Sequence, residues 1–477
     1  MSQENTEMHR SLKTRHLSMI AIGGSIGTGL FLASGSAISE AGPGGALVAY
    51  ALMGVMVYFM MTSLGEMATY MPVSGSFSTY ASRFIDPAFG FALGWNYWFN
   101  WAITLAVEIN TAAIIMQYWL PDVPSWMFSM VFLALIFGVN ATSGRSFGEA
   151  EYWLSMIKVI TVIIFIVIGT LTIFGIMGGE PVGMKNFTVG EAPFVGGIPA
   201  LLSVFVVAGF SFQGTELIGV SAGETENPEE SIPKAIKQVF WRIILFYIVS
   251  IFIIGVLIPY TSPNLLGGDV ADVATSPFTL VFKRAGLATA ASVLNAVILT
   301  AILSAGNSGL YASSRMLHSM AKSGQAPKVF AKVNKRGVPI NALILTAMVG
   351  AVAFLSSIFG ESFYGLLIAA SGLTGFIAWL GIGLSHLRFR RAMKAQGKDL
   401  GVLKYRAKLF PFGPLLALAL CVLVIVGQDI PAFINMDWGQ ILFTYMSIPL
   451  VLVLFVYYKV RYKTKLIPLQ EVDLDNK

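Results

Sequence analysis

Three stretches of this chain, Ile160–Gly178, Ile243–Tyr260 and Ile441–Tyr458, run for nearly the length of a bilayer crossing without a single charge. About 20 apolar residues at 1.5 Å rise cross the hydrocarbon core as a helix, so these runs mark membrane spans. Composition agrees: of 477 residues 56% are hydrophobic and 12% charged, where soluble domains carry about a quarter charged. Hydropathy along the chain gives about 12 spans, with centres near Gly27, Val57, Leu105, Ala134, Phe165, Gly209, Ile251, Ala301, Val349, Ile377, Leu418 and Leu450. The expected fold is therefore an all-α integral membrane protein. Residues 12–465 form one transmembrane domain, and residues 1–11 and 466–477 are polar tails expected to be mobile. The N-terminus is polar and then basic, so no signal peptide is expected. The lone cysteine, Cys421, excludes an intramolecular disulfide framework and is expected to pack as a small apolar residue.

Basic residues orient the chain. With the N-terminus inside, only Lys185, Lys283 and Arg284 of the 31 lysines and arginines fall in outward loops, and Lys158 lies within a span. Both termini are then cytoplasmic, and Arg242 and the segments Arg315–Arg336 and Arg388–Lys408 belong to the inner side. The net charge of +6 is thus a topology signal and does not point to nucleic acid.

Two spans are interrupted. Span 1 contains Gly23-Gly24-Ser25-Ile26-Gly27-Thr28-Gly29, and span 6 contains Gly209-Phe210-Ser211-Phe212-Gln213-Gly214-Thr215-Glu216. Glycine clusters mark places where a helix can unwind, although close helix packing also uses them. Unwound backbone at bilayer depth is tolerable only beside a polar ligand or cavity. The two clusters lie five spans apart, and an odd repeat enters the membrane from opposite sides. Spans 1–5 (about 17–177) and 6–10 (about 198–388) then form an inverted pair, with spans 11 and 12 (about 411–458) outside it. Half-helix N-termini suit a carboxylate and half-helix C-termini an ammonium. An α-amino acid carries both groups on one carbon.

Charges inside apolar stretches are costly and mark candidate sites. Glu216 lies just past the second break, facing either a cationic ligand or a structural partner. Tyr97, Trp101 and Glu108 share one helical face of span 3, which could end an aromatic-walled pocket in an acid or simply pack. Lys158 in span 5 is either a proton carrier, a fixed ammonium in the place of a coupling cation, or half of a permanent salt bridge. Glu66 marks the cytoplasmic end of span 2. Of the acidic group Glu224, Glu226, Glu229 and Glu230 after span 6, all but Glu224 read as solvated, as do Asp269 and Asp272 before span 8. His9, His16, His318 and His386 lie in the tail or at span ends, away from any nucleophile, so no enzyme, metal or cofactor site is expected.

The stretches Arg15–Gly35 (RHLSMIAIGGSIGTGLFLASG), Phe89–Ala106 (FGFALGWNYWFNWAITLA) and Gly209–Glu224 (GFSFQGTELIGVSAGE) carry a family resemblance, and Ile258–Leu265 and Leu303–Leu317 add to it. From about Leu12 to the end of span 12 the chain resembles the amino acid–polyamine–organocation superfamily, in its bacterial amino acid permease branch, and most resembles the lysine-carrying members. That resemblance implies a leucine-transporter-like fold in a bacterial inner membrane, with L-lysine and a proton as cargo. It implies that the backbone and hydroxyl of the Gly27-Thr28-Gly29 segment meet the substrate carboxylate, with Ser25 also in the substrate site. Carbonyls around Phe210, Ser211 and Gln213 would meet the α-ammonium, with Phe210 as a lid. Lys158 stands where proton-dependent relatives place a lysine. Relatives that carry neutral amino acids also have the glutamate matching Glu216, so side-chain selection is spread over Tyr97, Trp101, Glu108 and Glu216. Arginine or a neutral amino acid, carried by uptake or exchange, remains the nearest alternative, and a channel a distant one.

Overall fold

The computed structural model describes residues 7–266, 276–287, 290–352 and 361–475; Asp269 and Asp272 lie outside them. Among the described residues the regular elements are helices, with one isolated parallel bridge between Leu12 and Thr225. In chain order the helices are α1 (Thr14–Gly23), α2 (Thr28–Phe31), α3 (Ser34–Tyr70), α4 (Ser76–Phe84), α5 (Pro87–Met116), α6 (Ser125–Thr142), α7 (Gly144–Ile173), α8 (Gly197–Phe212), α9 (Leu217–Ser221) and α10 (Pro228–Arg242). There follow α11 (Val249–Leu257), α12 (Pro263–Leu266), α13 (Pro277–Arg284), α14 (Ala290–Lys322), α15 (Ile340–Gly350), α16 (Glu361–Ala395), α17 (Phe412–Val426), α18 (Ile430–Ile434), α19 (Trp438–Tyr445) and α20 (Ser447–Tyr462). A π-helical segment, Ile243–Ile248, joins α10 to α11.

Among the described residues, eight helical segments are long and apolar enough to cross a membrane: α3, α5, α6, α7, Gly197–Glu224, Pro228–Leu257, Ser292–Lys322 and Phe412–Ile434. Four expected spans are not among them. The first is divided between Gly23 and Thr28, the ninth is the 11-residue α15, and the tenth is α16, whose first side chains lie outside the described residues. The twelfth is the 16-residue α20. Within α3, Gly42 takes φ 75°, a left-handed conformation that suits glycine, just ahead of Pro43. It bends the chain between the end of span 1 and span 2, and the amide of Gly44 donates to Pro193 O at 2.8 Å.

The most apolar stretch of α5 is 83% buried, while those of α6 and α7 are 17% and 28% buried, so α5 is central and the other two peripheral. Trp153, Ile160, Ile163, Ile164 and Val167 of α7 point outward, as side chains facing lipid do. Helix α5 starts sharply because Pro87 occupies its first turn and Asp86 accepts from the Ala88 amide at 2.8 Å. It packs against α14, α16 and α4.

The described parts of the tails dock on the bundle. Ser11 N and Leu12 N both donate to Glu224 O at 2.9 Å, and Leu12 is fully buried. At the other terminus Ile467 N donates to Ile85 O at 2.9 Å, Gln396 Nε2 donates to Val472 O at 2.7 Å, and Tyr70 donates to Leu474 O at 2.8 Å. Val472 and Leu474 bury their side chains in the same end of the bundle. The short apolar residues among the charges explain the docking.

Glu66 closes that end. Arg390 donates to its two oxygens at 2.5 and 2.8 Å, the Ala407 amide donates at 2.6 Å, and His386 Nε2 lies 3.1 Å away. Removing one partner of a buried ion pair costs about 3–5 kcal/mol. Arg390→Ala is accordingly expected to lower the unfolding midpoint in detergent clearly, whereas Arg391→Ala at the exposed neighbour should leave it near that of the native protein.

Candidate binding site

Both glycine clusters are breaks. Helix α1 ends at Gly23 and α2 begins at Thr28, with Gly27 extended as its N-cap. The amides at the head of α2 have no upstream carbonyl in the helix and carry its partial positive charge. Helix α8 ends at Phe212 and α9 begins at Leu217. Between them Gly214 takes φ +93°, open to glycine at little cost. The breaks touch: a Cβ on Gly29 would stand 2.5 Å from Ser211 Cα, so glycine there permits the close approach. Tyr247 ties them together, its hydroxyl 2.9 Å from Ser25 O and 2.8 Å from Ser211 O.

A cavity of about 30 Å³ lies at this crossing, lined by Gly24, Ser25, Gly27, Thr28, Gly29, Trp101, Thr104, Glu108, Phe210, Gln213 and Ala305. That is room for about one water, so a larger ligand enters only when the walls separate. Eight of the eleven residues expected to bind substrate line it: Ser25, Gly27, Thr28, Gly29, Trp101, Glu108, Phe210 and Gln213. Gly24, Thr104 and Ala305, which were not among the expected binding residues, complete the lining.

The structure places the remaining three behind the wall. Ser211 Oγ pairs with Tyr50 OH at 3.0 Å and donates to Val207 O at 3.0 Å. The Glu216 carboxylate folds back onto the break, accepting from the Gly214 amide at 3.2 Å, Tyr97 OH at 3.2 Å and Trp379 Nε1 at 3.2 Å. Three donors on one buried carboxylate make it a brace for the unwound turn. Tyr97 serves that brace.

Glu108 differs. It is 3% exposed, its Oε1 accepts from Thr28 Oγ1 at 3.2 Å, and its Oε2 has no hydrogen bond within the protein. Trp101 Nε1 is also without a protein partner. A buried carboxylate oxygen left bare is costly unless a ligand meets it, and a cation meets it best.

Two cations sit at the carbonyl end of α1. Lys158 Nζ donates to Gly23 O at 2.6 Å and Ser304 Oγ at 2.9 Å, with Glu151 Oε1 at 3.8 Å. Arg242 donates to Ala21 O and, at 2.8 Å, to Thr215 Oγ1. Cations favour helix C-termini, where carbonyls lack partners. Arg242, one of the basic residues expected on the inner side, is 1% exposed and packs against both breaks. Glu151, not among the residues expected from the sequence, lies seven residues from Lys158 on the same helical face. Glu224 is buried as well, held by Arg315 Nε at 2.8 Å and Tyr311 OH at 2.9 Å, while Glu226, Glu229 and Glu230 are exposed.

Residues 16–469 match the amino acid permease family. A lysine-specific permease from Lactococcus lactis is 58% identical over 479 residues, covering 99% of this chain and 94% of the relative. A lysine-specific permease from Escherichia coli is 57% identical over 456 residues, covering 95% and 93%. A histidine permease from Lactococcus lactis is 54% identical over 473 residues, covering 99% of each.

Proposed function

The chain belongs to the amino acid permease family, and from that premise we propose that it takes up L-lysine together with a proton across the bacterial cytoplasmic membrane. It is a multi-pass membrane protein. Twelve spans, the first ten as two inverted groups of five, move by alternating access around the two breaks. Support for the repeat comes from α1/α2 and α8/α9, broken at matching places in the two groups. With the basic ends inside, both termini face the cytoplasm.

The observation that carries the substrate is the bare Glu108 oxygen in a cavity headed by the α2 amides. The α-carboxylate meets the amides of Thr28 and Gly29. The α-ammonium meets carbonyls at the end of α8, beside Phe210. The side-chain ammonium meets Glu108 Oε2, with the Trp101 ring alongside. Lysine supplies all three groups, and two relatives are named for lysine.

A relative named for histidine, equally well covered, makes histidine the second reading, alongside arginine. Competition of labelled lysine uptake by each of the twenty amino acids separates them. Unlabelled lysine is expected to compete best, with leucine near inert. Inhibition by leucine equal to that by lysine excludes the lysine assignment. Uptake into empty vesicles under a pH gradient alone separates symport from exchange.

A further inference from the structure

The face that α7 turns toward α14 carries polar groups that the cavity does not use. Down α7, toward the end that holds both termini, come Lys158, Ser155, Glu151 and Phe147; α14 runs the other way and presents Ser304, Asn307 and Tyr311. Lys158 and Glu151 are both 0% exposed. Lys158 Nζ donates to Ser304 Oγ at 2.9 Å, and Ser304 donates its own proton to Glu151 Oε1 at 2.5 Å. Ser155 Oγ donates to Glu151 Oε1 at 3.1 Å and Asn307 Nδ2 donates to Glu151 Oε2 at 3.4 Å, while Asn140 Nδ2 donates to Asn307 Oδ1 at 2.8 Å. One layer further, the Phe147 and Tyr311 rings stack 3.8 Å apart, and Tyr311 donates to the Glu224 that Arg315 holds.

A carboxylate kept only to neutralise Lys158 would close on it at about 2.7–2.9 Å. Here the nearest approach is 3.8 Å, and a hydroxyl stands between with its bonds running in one direction from amine to carboxylate. The other charges that act on Lys158 are Glu108 from α5 and Arg242 at the end of α10, which lie toward the breaks.

We infer that Glu151 is the group that takes the coupling proton from Lys158 on its way to the cytoplasm, with the Ser304 hydroxyl as the relay; this rests on the proton-coupled reading above. An N–H bond of the Lys158 ammonium breaks as Ser304 Oγ gains that proton, and the Ser304 O–H proton passes to Glu151 Oε1. A neutral amine and a carboxylic acid remain, with charge conserved. The event is tied to opening through Gly23, whose carbonyl accepts from Lys158 at the end of α1. When α1 swings away the ammonium loses that acceptor, and transfer to Glu151 follows. Separation of Phe147 from Tyr311 then exposes the carboxylic acid to cytoplasmic water, which takes the proton.

The test uses the full chain in proteoliposomes with an internal pH dye. The native protein is expected to acidify the interior on lysine addition. Glu151→Gln keeps an acceptor oxygen for Ser304 and should retain lysine-for-lysine counterflow, which also reports folding, while lysine-evoked acidification falls at least about tenfold. Ser304→Ala should reduce acidification in the same direction. Glu151→Asp should restore part of it. Acidification by Glu151→Gln equal to the native rate overturns the relay alone. Absence of acidification by the native protein overturns the coupling reading and the relay with it. Loss of counterflow and acidification in the same proportion in both Glu151→Gln and Ser304→Ala also overturns the relay, since the pair would then only hold the fold.

Discussion

Lys158→Ala is expected to abolish lysine accumulation driven by a pH gradient. Lys158 is the one lysine within a predicted span, fully buried, and bound to the carbonyl end of α1 at the break. If it carries the coupling proton, its loss should lower concentrative uptake by about 100-fold or more. The substitution also strands the Glu151 carboxylate, and an uncompensated buried charge costs about 3–5 kcal/mol. Lys158→Ala should therefore lower thermal stability as well as coupling. The double variant Lys158→Ala with Glu151→Gln removes both charges. It should recover stability without recovering accumulation, and detergent melting beside vesicle uptake reads the two separately. Unchanged concentrative uptake by Lys158→Ala removes this residue from the mechanism.

Glu108→Gln carries the second large effect, on affinity. Glutamine has nearly the same shape and keeps an oxygen for Thr28 Oγ1, so the change reports the charge that faces the cavity. Breaking a buried ionic contact with a ligand costs about 2 kcal/mol or more, which is about thirtyfold in affinity. The KM for lysine and its calorimetric Kd should rise by that factor, while any weak binding of leucine should hold or improve. An unaltered lysine affinity would assign Glu108 to packing against Thr28. Glu216→Gln should act differently, since its carboxylate binds the Gly214 amide, Tyr97 and Trp379. Its loss should lower transport of every substrate alike by loosening the turn.

These two glutamates show how far the sequence could be read. Both fall in apolar stretches and both looked able to meet a cation. A carboxylate's role depends on which donors surround it, and those donors come from elsewhere in the chain: Trp379 from α16 for Glu216, Thr28 from α2 for Glu108. Periodicity put Tyr97, Trp101 and Glu108 on one face of α5. The crossing of the breaks then sent Tyr97 to the brace and left the other two in the cavity wall. Arg242 read only as a basic residue near a span end; its partners, the Ala21 carbonyl and the Thr215 hydroxyl, come from the two breaks.

The sequence by itself determined that this chain lives in a membrane, that its spans are helical, and that two of them break. Length of apolar run and glycine spacing are properties of contiguous residues, and the bilayer enforces them locally. Only the tertiary structure decided which of the buried charges face the cavity, which brace a turn, and which pair with Lys158 through Ser304. Those choices arise from contacts between residues 80 to 163 positions apart, such as Thr28 with Glu108, Lys158 with Ser304 and Glu216 with Trp379. No local pattern encodes them, because inside a bilayer a charge is defined by the partner that packing delivers to it.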